Sequence, residues 1–197
     1  MTAKIIKALG VSAMLGFSAM PLCAFAVNPD DAEVQVTINP SISMTLTNHA
    51  TVSLDTNTTK IGKSDSFYSE VKVSTNAMNG YTVSVKEKSD GDAKADLKNA
   101  ATGAVIEAKD GEPVAGVATW AIKSAATGSA ATTYKAVPGK DATGLVLVNK
   151  GMSNATSKTY VDDITDVEYA VSSGNSTIPS GTYVTTITYT ATANANS

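Results

Sequence analysis

Between residues 33 and 47 the chain alternates strictly. Val34, Val36, Ile38, Pro40, Ile42, Met44 and Leu46 share one parity; Glu33, Gln35, Thr37, Asn39, Ser41, Ser43, Thr45 and Thr47 share the other. Side chains of a strand point to opposite faces in turn, so the pattern predicts an extended segment with one apolar and one polar face. On a helix the same residues would scatter around the axis. At about 3.3 Å per residue the run would span roughly 50 Å, more than twice an ordinary strand. Pro40 has no N–H to give to a ladder and divides the run into two strands of matching parity. Residues 41–47 read as the first strand of a folded domain. Residues 33–38 read as an amphipathic strand ahead of it, free to complete its own domain or a neighbour's.

Shorter alternations follow. Residues 50–54 give one, and residues 66–75 give another with Phe67, Val71 and Val73 on one face. The pair Asn79-Gly80 tolerates positive φ, and Tyr81, Val83 and Val85 resume the alternation, which predicts a β-hairpin. Residues 93–101, rich in Ala, Leu and Lys, predict one short helix. Trp120 shares a side with Ile122. Residues 145–148 form an unbroken apolar run, expected of a central strand covered on both faces. Val167, Tyr169 and Val171 point one way. After the turn at Ile178-Pro179-Ser180-Gly181, a long last strand puts Tyr183, Ile187, Tyr189 and Ala191 on one face and four threonines on the other. Many short strands punctuated by Gly, Asn and Pro describe an all-β sandwich.

The first 26 residues change the picture of the compartment. Lys4 and Lys7 precede an apolar stretch ending at Ala24-Phe25-Ala26, the pattern of a secretory signal peptide and too short for a membrane span. Lipid attachment at Cys23 is the other option, with Met20-Pro21-Leu22 a poor context for it. Cleavage after residue 26 leaves 171 of the 197 residues, without cysteine, and takes the formal net charge from −3 to −5. The expected organisation is a signal peptide over 1–26, an extension over 27–40 and a sandwich domain over 41–197. The protein is expected outside the cell or on its surface, with no membrane association once the signal is gone. Every basic residue is lysine, and the lysines are dispersed, which argues against nucleic acid as a partner.

Little in the chain suits catalysis. His49 is the only histidine, so neither a nucleophile–base pair nor a zinc site has its usual residues, and no enzyme activity and no cofactor are expected. Two acidic groups, Asp90/Asp92/Asp96 and Asp162/Asp163/Asp166, are candidates for calcium or for solvated turns; Lys94 sits inside the first. No metal ligand set is assigned. Trp120, Tyr134 and Tyr160 are candidates for a glycan-stacking platform, against a core role for the tryptophan.

Four stretches together resemble the major subunits of bacterial fimbriae assembled by chaperone and usher, most nearly the colonisation-factor type. They are Val34-Gln35-Val36-Thr37-Ile38-Asn39-Pro40, residues 69–85, Thr119-Trp120-Ala121, and Ile178-Pro179-Ser180-Gly181-Thr182-Tyr183. The resemblance implies an immunoglobulin-like antiparallel β-sandwich lacking one strand, which the next subunit's N-terminal extension supplies. It implies Val34, Val36 and Ile38 as the interface residues that plug the neighbour. The implied partners are further copies of the chain or related surface subunits, a periplasmic chaperone and an usher, and, through adhesion, host glycan or matrix. The second hypothesis is a monomeric secreted sandwich that binds carbohydrate or extracellular matrix.

Overall fold

A computed structural model describes residues 36, 39–89, 91–125, 131–151, 160–175 and 178–195, without the side chains of His49, Tyr160 and Val161. The chain divides into two units, Met1–Thr37 and Ile38–Ser197. The fold below is that of the second.

It is an all-β sandwich of two sheets. The strands are β1 (Ile42–His49), β2 (Thr59–Ile61), β3 (Tyr68–Thr75), β4 (Tyr81–Glu87), β5 (Leu97–Lys98), β6 (Val105–Ala108), β7 (Ala118–Ser124), β8 (Leu145–Lys150), β9 (Tyr160–Ser173) and β10 (Ile187–Ala193). The larger sheet has the order β1-β3-β9-β7-β6-β5, with β2 also on β9; the smaller is β10-β4-β8. Every strand pair is antiparallel except β6 and β7, which meet in parallel at Glu107–Thr119 and Ala108–Trp120. One margin of the large sheet is stitched to the strand that becomes β10, because Lys98 and Val184 exchange backbone hydrogen bonds of 3.0 Å. At the opposite margin, β1 and β10 come within 8 Å between Cα atoms without pairing.

The inward rows match the alternation. Phe67, Val71 and Val73, then Tyr81, Val83 and Val85, then Trp120 and Ile122, then Val167, Tyr169 and Val171 all enter one buried cluster with Tyr189. A second, smaller cluster lies on the back of the large sheet. There Ala121 and Ala170 sit with the Tyr134 ring, and Ile61 packs beside them. Small residues at 121 and 170 leave room for that ring. Lys123 stands 4.6 Å from the ring centroid and pairs with Glu168 at 3.2 Å.

Three local expectations are corrected. The segments 68–75 and 81–87 do not form a hairpin: β3 belongs to the large sheet and β4 to the small one. The turn between them is an arch across the sandwich. Alternation buries the same residues in either arrangement, so pattern alone cannot separate them. Gly80 closes the arch at φ 76°, where a Cβ would lie 1.8 Å from the Lys150 carbonyl oxygen.

The helix expected over 93–101 is replaced by a bridge at Lys94, the short β5 and a turn. An isolated helix of that length is marginal in water, whereas this segment finds tertiary partners. The Ala95 N–H donates to Val137 and the Lys98 N–H to Val184. The Asp96 carboxylate accepts from the Ala108 N–H at 2.7 Å, and Asn99 Oδ1 caps the following turn.

The apolar run 145–148 is not central. Among the described residues β8 pairs only with β4, at the end of the small sheet. A bulge moves the register from Val83–Val148 to Ser84–Val146, leaving Leu147 as the extra residue. Leu147 and Val148 are therefore both buried, although consecutive residues normally point apart.

Candidate functional site

The feature with the clearest interaction chemistry is the margin between β1 and β10. The direct partners Ile42–Thr75, Met44–Val73 and Leu46–Val71 share the inner face of the β1–β3 ladder. Val71 and Val73 are each 1% exposed, whereas Ile42 and Met44 are half-buried and Leu46 is 44% exposed. One strand further out, the same apolar face is open. Across the gap, Ile187 and Ala191 of β10 are also half-buried and flank the buried Tyr189. Among the described residues β1 pairs only with β3 and β10 only with β4, so each offers an unused edge to the gap. The unpaired edge of β1 and its half-open apolar row form a slot along which a further strand can pair. Where β1 and β10 approach within 8 Å there is not the roughly 9.5 Å that a strand hydrogen-bonded to both would need.

The slot has a polar end. Ser69 Oγ donates to Asn48 Oδ1 at 3.0 Å, and the hydroxyls of Ser69, Tyr169 and Tyr189 continue as a chain with two 2.7 Å links. Ser69 has one proton and gives it to Asn48, so Tyr169 donates to Ser69 and Tyr189 to Tyr169. The chain ties β3 and β9 to β10 through the core. Burial pushes both tyrosine hydroxyls above their ordinary pKa. At another margin Lys150 Nζ lies 2.7 Å from both Asp163 oxygens, and the Tyr81 hydroxyl donates to the same carboxylate.

The start of β1 is clamped. The Ser41 N–H donates to Asn76 Oδ1 at 2.6 Å, and the Ser41 carbonyl accepts from Thr75 Oγ1 at 2.6 Å and from the Asn76 N–H at 3.3 Å. Asn76 Nδ2 also donates to the Asn39 carbonyl at 3.4 Å. These bonds prolong the β1–β3 ladder past its last residue pair and hold Asn39–Ser41 against β3.

Of the interface candidates, Val36 is 77% exposed, while Val34 and Ile38 lie outside the described residues. The stacking platform is corrected for two of its three members. Trp120 is 3% exposed, with Nε1–H donating to the Ala95 carbonyl at 2.9 Å, and Tyr134 is 4% exposed in the separate rear cluster. Neither ring offers a face to a sugar; the Tyr160 side chain lies outside the described residues.

The acidic groups are taken up singly. Asp90 lies outside the described residues, Asp92 pairs with Lys98, and Asp96 holds the Ala108 N–H. Asp162 pairs with Lys72 at 3.0 Å, Asp163 with Lys150 at 2.7 Å and Asp166 with Lys63 at 2.8 Å. Alternation turns Asp163 away from Asp162 and Asp166, and each of the three carboxylates pairs with its own lysine. Among the described residues no three His, Cys, Asp or Glu side chains converge on a metal position. A shallow cleft of about 210 Å³ is lined by Lys109, Asp110, Glu112, Val114, Val117 and Thr119. Its Asp110 carboxyl is held below the usual range, chiefly by the Ala136 N–H, which makes it a loop latch.

The half-open state of β1 and the Asn76 clamp were missed by sequence reasoning. The apolar row 42–46 was visible, but nothing in it records the absence of a covering neighbour. Asn76 looks like any other polar turn residue. Compared with protein-family models, curated proteins and solved structures, the chain finds no match.

Proposed function

We propose that this protein is a non-enzymatic structural subunit of an extracellular surface assembly, fimbrial or pilin-like, whose copies join by strand exchange and support adhesion. The observation that carries the reading is the unpaired, half-open apolar edge of β1, with Leu46 44% exposed on an inward-facing row. Three apolar positions, Ile42, Met44 and Leu46, await an inserted strand. Residues 33–38 offer three at the same period: Val34, Val36 and Ile38.

Insertion would satisfy free backbone groups along an edge and bury those three side chains. Their burial contributes roughly 4.5–9 kcal/mol before ordering costs, at about 1.5–3 kcal/mol each. Because the donor segment and the slot are different surfaces, the contact is head-to-tail and generates a fibre rather than a closed dimer. The signal-peptide pattern supports export as the route to the surface. Before assembly the slot would need cover, the task a periplasmic chaperone performs in the fimbrial systems the sequence resembles.

The test is a Val36→Asp variant of the full chain, examined on unboiled SDS gels. A carboxylate at the middle plug position should abolish detergent-resistant ladders that the native sequence forms and that Thr37→Asp, of the opposite parity, retains. Native protein running only as a monomer would overturn the reading. The monomeric glycan-binding alternative loses its best support in the buried Trp120 and Tyr134.

A further inference from the structure

We propose that Pro40, Ser41 and Asn76 commit residues 33–38 to a second copy of the chain by denying them the turn that would fold them back along their own β1. The inference rests on the strand-exchange reading and concerns what decides between self-completion and exchange.

Parity restricts the return. Directly opposed residues of an antiparallel pair share a face, so Val36 must oppose Met44 or Ile42, not Ser43, to reach the slot. Two- and four-residue loops give the wrong parity and would turn Val34, Val36 and Ile38 to the outer face. A five-residue loop over 37–41 has the right parity but consumes Ile38, leaving two plugs for three positions. The return that keeps all three is the three-residue loop Asn39-Pro40-Ser41, pairing Ile38 with Ile42 and Val36 with Met44.

That loop is blocked at two of its residues. A three-residue hairpin loop is a type I turn followed by a left-handed residue. Pro40 would be the third of the turn's four residues, position i+2, where its ring drives Asn39 out of the helical region the turn requires. Ser41 would have to be left-handed, yet among the described residues the non-glycine positions with positive φ are Asn57, Ser66 and Asp162. Ser41 instead points both its N–H and its carbonyl at β3, held by Asn76 Oδ1, the Asn76 N–H and Thr75 Oγ1. Insertion into another copy needs no such turn. In either strand direction, matching three plugs to three positions places Val36 opposite Met44.

The experiment uses the full chain with Cys23→Ser, Val36→Cys and Met44→Cys, oxidised after release from cells. Non-reducing gels read interchain disulfides as ladders, and intact mass reads intrachain ones. The same cysteine pair is then placed on Pro40→Asp/Ser41→Gly, a loop suited to the return, and on Asn76→Ala, with Trp120 emission as the check of folding. With the native loop, disulfides should be interchain. With the permissive loop, the intrachain fraction should rise at least about tenfold, because a tethered strand acts at about millimolar effective concentration. Asn76→Ala should move the partition in the same direction. Intrachain disulfides with the native loop would overturn the inference, as would a permissive loop whose disulfides stay interchain; the second result leaves strand exchange standing. Absence of any disulfide in either background would overturn strand exchange itself, and the inference with it.

Discussion

Leu46 and Val71 stand directly opposite one another on the inner face of the β1–β3 ladder, yet Leu46 is 44% exposed and Val71 is 1% exposed. The two residues have the same chemistry and the same facing, and they differ by one strand's distance from the margin. An apolar residue turned inward and left uncovered is the feature on which the assembly proposed above rests.

The pair separates folding from association. Leu46→Lys should change the unfolding free energy of the isolated subunit by no more than about 0.5 kcal/mol, as for other exposed positions. The same change should eliminate detergent-resistant multimers. Val71→Ala should cost the subunit about 1.5–3 kcal/mol in denaturant unfolding. Equal destabilisation by both changes would mean that Leu46 is covered within its own chain.

The arch between the sheets depends on Gly80. At φ 76°, and with a Cβ position 1.8 Å from the Lys150 carbonyl oxygen, alanine meets both a left-handed backbone and a backbone clash. Gly80→Ala should cost more than about 2 kcal/mol, lowering the melting temperature by at least about 4 °C. Gly91→Ala, where a Cβ meets open space, is the control. Calorimetry showing equal melting temperatures would contradict this account of the turn.

The tyrosine chain predicts alkaline sensitivity. Tyr169 and Tyr189 are raised in the folded state, chiefly by burial, above the ordinary value of 10.0. The unfolded chain therefore ionises first. Stability from these groups is complete below pH 10 and falls as pH rises beyond it, by up to about 1.4 kcal/mol per pH unit for each tyrosine. Denaturant midpoints at pH 9 and pH 11 should show the loss, and Tyr189→Phe should reduce it while costing about 0.5–1.5 kcal/mol at neutral pH. An unchanged pH dependence in Tyr189→Phe would contradict the assignment.

Trp120 provides a test of the glycan alternative. Its burial and its hydrogen bond to Ala95 predict blue-shifted emission that iodide quenches weakly. Added oligosaccharides should leave the emission unchanged. Strong glycan-dependent quenching would place the ring at a binding surface and favour the second hypothesis.

Much of the fold was legible because a sandwich writes its core as alternation. Parity alone puts Val71, Val73, Val83, Val167, Tyr169 and Tyr189 on the apolar faces of their strands, and they are buried. Sheet membership was not legible. The same alternation suits β3 and β4 as a hairpin or as an arch, and only partners distant in sequence decide between them. The apolar run of β8 concealed a bulge, and the Ala-rich segment at 93–101 had helix propensity that tertiary hydrogen bonds to Val137 and Val184 outweighed. Nothing in the sequence around Ala121 and Ala170 marks the rear cluster, because Tyr134, which packs with them, comes from elsewhere in the chain. At the candidate site, the three-position apolar row on β1 could be read directly. Its openness could not, because exposure is a property of missing neighbours.

The most direct test is negative-stain imaging of material sheared from cells producing the native chain, beside cells producing Val36→Asp. Thin filaments from the native cells, lost with Val36→Asp, are the predicted result. Native material that contains only single compact particles, folded and stable without a partner, would contradict the account.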